Sequence, residues 1–155
     1  MRIDSLEGIQ PITQVYGICF NDKGEILVCR EGHEGKWQIP GGHPENKETA
    51  EETLLRELQE EADVKVKNIK VIGTQKVNYP NNPNAEEGEE FHQVRMYCEV
   101  DELMPQTLDP ATGNTWERMF VASDKITEYV KWGSVGDAMF NDAICIWVEQ
   151  KKARQ

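Results

Sequence analysis

Apolar positions along the chain fall into blocks with two different periods. Ile12 to Phe20 is crowded with β-branched and aromatic residues, Asn21-Asp22-Lys23-Gly24 follows, and Glu25 to Arg30 resumes the apolar run. Branched and aromatic side chains suit a pleated surface, while Asn, Asp and Gly suit a tight turn, so this block predicts a β-hairpin. Glu31 to Lys36 reads as a loop, Trp37-Gln38-Ile39 as a short strand, and Pro40-Gly41-Gly42 as a bend into a second loop.

The period then changes. Thr49 and Glu52 have the spacing of a capping box, and Ala50, Leu54 and Leu58 recur four residues apart, which predicts a helix from about Thr49 to Ala62. Val64 to Asn78 carries enough branched residues for one or two strands, and Tyr79 to Glu90, with its prolines, asparagines and glutamates, reads as a polar loop. Over Phe91 to Val100 the period is two: Phe91, Gln93, Arg95, Tyr97 and Glu99 share one face, and His92, Val94, Met96, Cys98 and Val100 the other. Trp116 to Val121 reads as another strand. From about Val135 to Lys152 a stripe of Ala138, Met139, Ala143, Ile146 and Trp147 predicts a second helix, whose basic end Lys151, Lys152 and Arg154 complements its dipole. Strands interleaved with two good helices predict an α/β fold, a mixed sheet with helices packed on it.

At 155 residues, with 38% hydrophobic and 29% charged positions, the chain is expected to form a single domain over 1–155. A net charge of −11 leaves no basic stripe to neutralise a phosphate backbone or an anionic bilayer, so neither nucleic acid nor membrane is an expected partner. Cys19, Cys29, Cys98 and Cys145 lack C-x-x-C or zinc-ligand spacing and read as free thiols of a reducing compartment. Without a signal-type apolar run or a membrane-length segment, the expected location is the cytoplasm.

One segment resists a purely structural reading. Between Glu48 and Asp63 stand seven acids against a single base, Arg56. Glu57, Glu60 and Glu61 share one face of the predicted helix, beside its apolar stripe. Like charges at these spacings each cost a helix about 0.2–0.5 kcal/mol, and acids near its C-terminal end oppose the dipole. A hard divalent cation would relieve that crowding, since Mg²⁺ takes carboxylate, phosphate and water oxygens. The Gly41-Gly42 bend just upstream adds backbone that a ligand can approach closely.

The segment resembles the signature of the Nudix hydrolases, G-x5-E-x7-R-E-U-x-E-E-x-G-U, with U a bulky aliphatic residue. Gly42, Glu48, Arg56, Glu57, Leu58, Glu60, Glu61 and Val64 fall in register, and only Asp63 departs, standing where the pattern has its second glycine. An Asp tolerates the left-handed backbone of such a position at a cost of about 1 kcal/mol, so the departure touches local stability rather than the metal ligands. Ile26 to Arg30, Trp37 to Gly42 and Glu117 to Ile126 extend the similarity over most of the chain.

The resemblance implies an α/β/α sandwich that hydrolyses a nucleoside di- or triphosphate, or a nucleoside-diphosphate derivative, with Mg²⁺ or Mn²⁺. It implies Glu57, Glu60 and Glu61 as metal ligands, the Gly41 carbonyl as an additional one, and Arg56 and Glu48 as the residues that orient them. Leu58 and Val64 become packing residues. The general base stays open among Glu57, Glu61, the loop acids Glu86, Glu87, Glu89 and Glu90, and Glu117 on the late strand. Arg30, Lys36 and Arg95 are the cations available for substrate phosphates, Gly41 and Gly42 offer backbone to the substrate, and Phe91, Tyr79, Trp37 and Trp132 are candidates to stack a base. His33, His43 and His92 show no spacing that assigns them a role. Two other readings use the same fold: a nucleotide sensor without turnover, and an isomerase with Cys29 or Cys98 as its reactive group. Many relatives are dimers, which makes a homodimer one expectation. Tyr79 and Pro80 mark competing substrate subfamilies and do not decide between them.

Overall fold

Residues 5–155 are described by a computed structural model. Strands β1 (Ile12–Phe20), β2 (Ile26–Glu31), β3 (Gly41–Gly42), β4 (Val64–Asn78), β5 (Glu90–Leu103) and β6 (Trp116–Val121) form one sheet, and helices α1 (Ala50–Ala62), α2 (Ile126–Tyr129) and α3 (Gly133–Ala153) complete the fold. The sheet order is β4-β5-β1-β2-β6, with β3 paired to β1. β1 and β5 run parallel, while the other pairs are antiparallel.

The alternation in the sequence sorts side chains onto the two faces of this sheet. Ile18, Phe20, Ile26, Val28 and Tyr97 pack on one side with Met139, Phe140, Ala143 and Ile146 of α3. Val15, Cys19, Leu27, Val94, Met96 and Cys98 pack on the other with Leu54, Leu58 and Ala62 of α1. The product is a sheet between α1 and α3, and the two faces of β5 are the ones its period predicts.

Several boundaries differ from the sequence reading for identifiable reasons. Trp37-Gln38-Ile39 is not a strand: Gln38 makes only an isolated bridge to Cys29, and the paired strand is the Gly41–Gly42 bend itself. Glycine at 41 permits that pairing because the Val15 and Tyr16 backbone of β1 lies where its Cβ would otherwise stand. The expected β1–β2 hairpin reduces to the register pair Phe20↔Ile26, since most of β1 is taken by β5 and β3. Val64 to Asn78 forms one long strand with three register breaks, which bend it without ending it. Helix α2 and the 3₁₀ turn Ser123–Lys125, too short to show a period, were not legible in the pattern.

Candidate active site

Helix α1 begins as its sequence dictates. The Thr49 hydroxyl accepts from the Glu52 backbone N–H at 3.1 Å and the Glu52 carboxylate accepts from the Thr49 N–H at 3.0 Å, closing the capping box. The helix ends at Asp63, whose φ of 48° and ψ of 51° are left-handed. The signature glycine is thus replaced by a residue in the conformation that glycine favours.

Asp63 also makes contacts that glycine cannot. Its carboxylate accepts from the Thr107 backbone N–H at 2.8 Å and the Thr107 hydroxyl at 2.9 Å, tying the segment after β5 to the helix end. Arg118 donates to the carbonyls of Ala62 and Asp63 at 2.7 and 3.2 Å, supplying the positive charge that the last turn of α1 lacks. Beside this junction lies a cavity of about 390 Å³ lined by Arg56, Gln59, Glu60, Asp63, Thr107, Leu108 and Pro110.

Within the acidic face, Arg56 is the hub. It donates to Glu48 through Nε at 2.8 Å and Nη2 at 3.1 Å, to Glu57 and Glu60 through Nη1 at 2.9 and 3.2 Å, and to the His43 carbonyl at 2.9 Å. Hydrogen bonding to Arg56 holds the Glu48 carboxyl down at about 2, and the same bonds push the Arg56 pKa up. The orienting role implied for Arg56 and Glu48 therefore has a bidentate geometry behind it.

The bend of β3 lies against this face. A Cβ on Gly42 would stand 2.3 Å from Glu57 Oε1, so the first glycine of the signature is there to admit that carboxylate. Glu61 is 8% exposed, and its Oε2 accepts from the Gly41 N–H at 3.4 Å and the Cys29 thiol at 3.6 Å. Burial first, and then the neighbouring Glu57 carboxylate, push the Glu61 carboxyl up to about 9. Burial also raises the Glu60 carboxyl, with Glu57 adding to it.

This donor set suits a hard divalent cation. Two carboxylates, Glu57 and Glu61, share the space beside the Gly41–Gly42 backbone, and burial together with the Glu57 charge makes the ionised form of Glu61 costly there, a cost that a cation would relieve. Among the described residues, no three acidic, imidazole or thiol groups stand together as a ready-made metal cage. Glu60, like Glu57, is bonded to Arg56 Nη1, so closing a three-carboxylate set requires it to turn from that bond.

The remaining predicted residues separate into distinct clusters. Arg30 and Glu117 are directly paired across β2 and β6 and form an ion pair, Nη2 to Oε2 at 2.7 Å; His33, not singled out by spacing, binds the same carboxylate. Hydrogen bonding to Arg30 lowers the Glu117 pKa, making Glu117 a weaker base. The Arg30 guanidinium also lies 4.4 Å over the Trp37 ring. Phe91 is buried, Lys36 and Tyr79 are exposed, and of the loop acids Glu89 accepts from the Asn81 N–H while Glu90 pairs with Lys76. All four cysteines are free thiols, and burial raises the pKa of Cys29 well above the usual range, which removes its nucleophilic form.

Among the described residues Arg95 is bonded to no acid. It is 2% exposed on the α3 side of β5, packed 4.7 Å over Tyr16 and 4.1 Å over Trp132. Burial lowers its pKa to about 10, so it remains a cation at neutral pH. Tyr16, which the sequence reading passed over as a strand aromatic, is the element between Arg95 and the bend: it pairs with Arg95 on β5 and with Gly41 on β3. No one-strand pattern could have identified it, because its role depends on two partners distant in sequence.

Comparisons with known proteins agree with this architecture. The NUDIX domain model matches residues 11–140. An RNA pyrophosphohydrolase of Stutzerimonas stutzeri is 37% identical over 70 residues, covering 45% of this chain and 42% of that protein. One from Marinomonas is 38% identical over 56 residues, 36% of this chain and 35% of its own. The chain thus matches less than half the length of these curated relatives. A NUDIX hydrolase of Nitrosomonas europaea superposes with a TM-score of 0.64 at 20% identity, covering 86% of this chain and 88% of that one. The Bacillus subtilis pyrophosphohydrolase gives 0.68 at 19% identity, covering 90% and 85%. The helix–sheet–helix layering is therefore shared with these structures, and with the domain model matching most of the chain, the protein belongs to the NUDIX domain family.

Proposed function

We propose that this protein hydrolyses a diphosphate linkage in a nucleotide or nucleotide derivative, with Mg²⁺ or Mn²⁺ held by Glu57, Glu60, Glu61 and the Gly41 carbonyl. The observation that carries the reading is the complete acidic face, with Glu57 and Glu61 packed beside the Gly41–Gly42 backbone and Arg56 gripping Glu48, Glu57 and Glu60. Family membership supports it, as do the names of the curated relatives. A non-catalytic sensor has no need of this full carboxylate set.

When bound, a divalent ion neutralises diphosphate charge and lowers the pKa of attacking water. The chain's own residues do the rest. Arg56 and Glu48 fix the carboxylates, Glu57 or Glu61 takes the proton released by the water, and Gly41 and Gly42 bring backbone against the substrate. Glu117, held by Arg30 and His33, serves better as an orienting partner than as the base. Arg30, with Trp37 beneath it, is a cation for substrate phosphate, and Phe91 and Arg95 belong to the part of the site that holds the rest of the substrate.

The net charge of −11 favours a small nucleotide over a polynucleotide, whose backbone needs a basic track. The relatives' names favour an RNA as the second reading. All described strands share one sheet, which supports a single domain; the free thiols support a reducing, cytoplasmic location. Among the described residues no helix is long and apolar enough to cross a membrane.

The test is a screen of nucleoside triphosphates, nucleotide sugars, ADP-ribose, dinucleoside polyphosphates and a 5′-triphosphorylated RNA, with Mg²⁺ or Mn²⁺ and phosphate detection. Turnover is expected for at least one, with Glu57→Gln and Glu60→Gln lowering kcat by roughly 10²-fold or more while circular dichroism stays unchanged. Undiminished kcat in both variants would sink the assignment. Nucleotide binding by calorimetry without any turnover would favour the sensor.

A further inference from the structure

Arg95 combines three properties that structural arginines rarely share. Its side chain is almost wholly buried, its Nε and Nη1 have no hydrogen-bond partner, and it has no carboxylate bonded to it among the described residues. A buried guanidinium is expensive, and buried donors left unmet add to that cost. Stacking on Tyr16 and Trp132 offsets part of it but satisfies no N–H.

The one nitrogen that is satisfied constrains its neighbours. Nη2 donates to Gln75 Oε1 and Gln93 Oε1, both at 3.2 Å. Arginine has only donors, so both glutamines must turn their carbonyls toward it, and their NH₂ groups remain as the free polar ends. The Tyr16 hydroxyl is engaged with Gln14. The groups left unmet at this spot, Arg95 Nε and Nη1, are donors, and the rings of Tyr16 and Trp132 frame them.

Its position relative to the acidic face is set by register. Arg95 is opposite Tyr16 and Tyr16 is opposite Gly41, so Arg95 lies two strand spacings, about 10 Å along the sheet, from the bend against which α1 sets Glu57 and Glu61 from the other face, and Tyr16 feels the charges of all three. That is the scale of the ribose separating a base from its phosphates. Trp132 is the cover, in the residue before Gly133, whose φ is 80°. It folds back over the first turn of α3 because position 136 is glycine: a Cβ there would stand 2.1 Å from the Trp132 Cβ.

We propose that Arg95, with Gln75 and Gln93, reads the base of the substrate and selects an oxo base such as guanine or uracil over adenine, Trp132 shifting to admit it. The unmet Nε and Nη1 donors of Arg95 match the O6 and N7 acceptors of guanine or a carbonyl of uracil, whereas adenine presents an amino donor in place of O6. The inference rests on the nucleotide reading above but concerns recognition, not cleavage.

Binding of α,β-methylene GDP, UDP and ADP with Mg²⁺ tests it without turnover, followed by tryptophan fluorescence. The guanosine and uridine analogues are expected to bind roughly tenfold or more tightly than the adenosine analogue. Arg95→Met is expected to abolish that difference, and Arg95→Lys, which keeps the charge and loses the fork, to reduce it. Trp132→Phe should remove most of the emission change while calorimetry still gives the same order of affinities. Equal binding of all three by the native protein overturns the proposal, as does a preference that survives Arg95→Met. A uniform loss across all three bases in Arg95→Met also overturns it, placing the guanidinium on phosphate or ribose. Should Arg95→Met fail to fold, Arg95→Lys and the native affinities decide. Selective binding without turnover of any substrate would defeat the hydrolase reading alone; turnover without base preference would defeat this one alone.

Discussion

Arg56 and Arg95 place the same guanidinium in opposite surroundings. Arg56, on α1, is shared among Glu48, Glu57, Glu60 and a backbone carbonyl. Arg95, on β5, is more deeply buried and meets two glutamine carbonyls and two aromatic faces, with two nitrogens unmet. One cation holds together a face that has too many negative charges; the other is a charge that the fold itself does not use. Folding accounts for the first arginine, and a ligand is the better account of the second.

The sharpest way to probe this contrast is through pH on the acidic side. Glu61 has its carboxyl raised to about 9 from an ordinary 4.5, so the folded protein holds a proton that the unfolded chain releases. The contribution of the Glu61 carboxyl to the stability of the metal-free protein is therefore expected to be fully present below about pH 4.5 and to be lost as pH rises toward 9. Glu61→Gln should flatten that slope in urea denaturation, and Mg²⁺ should flatten it in the native protein. A slope unaffected by both would mean that Glu61 is not the group under strain.

The two arginines can then be compared by the same substitution. Arg56→Met is expected to cost about 2–3 kcal/mol, because Glu48, Glu57 and Glu60 lose charge-assisted bonds and repel one another. Arg95→Met is expected to stay within about 1 kcal/mol of the native protein, since an unpaired buried cation gives way to apolar volume. Equal losses in denaturation midpoint would erase the distinction. The smallest expected effect is at the signature departure: Asp63→Gly relieves left-handed strain but loses both Thr107 bonds, for a net cost of about 1 kcal/mol by thermal unfolding. A gain in stability would show that the Thr107 contacts add nothing.

The sequence was most informative where function and local structure share one segment. The box from Gly42 to Val64 could be read from one helical turn to the next because capping, the apolar stripe and the acid spacing all act within a few residues. The alternation of β5 likewise divided its residues into the two faces that the structure covers with α1 and α3. Expectations went astray where pairing decides: Gly41–Gly42 became a strand because β1 lies beside it, and Trp37-Gln38-Ile39 did not because only Gln38 finds a partner.

By itself, then, the sequence determined the helix, its cap, its acidic face and the two sides of the sheet, all consequences of periodicities that a chain carries locally. Tertiary structure alone decided that Asp63 holds Thr107, that Glu117 is claimed by Arg30 and His33, and that Tyr16 stands between Arg95 and the bend. Those relations join residues far apart in the chain, and hydrogen bonds, burial and the charge shifts that follow exist only once the strands are side by side.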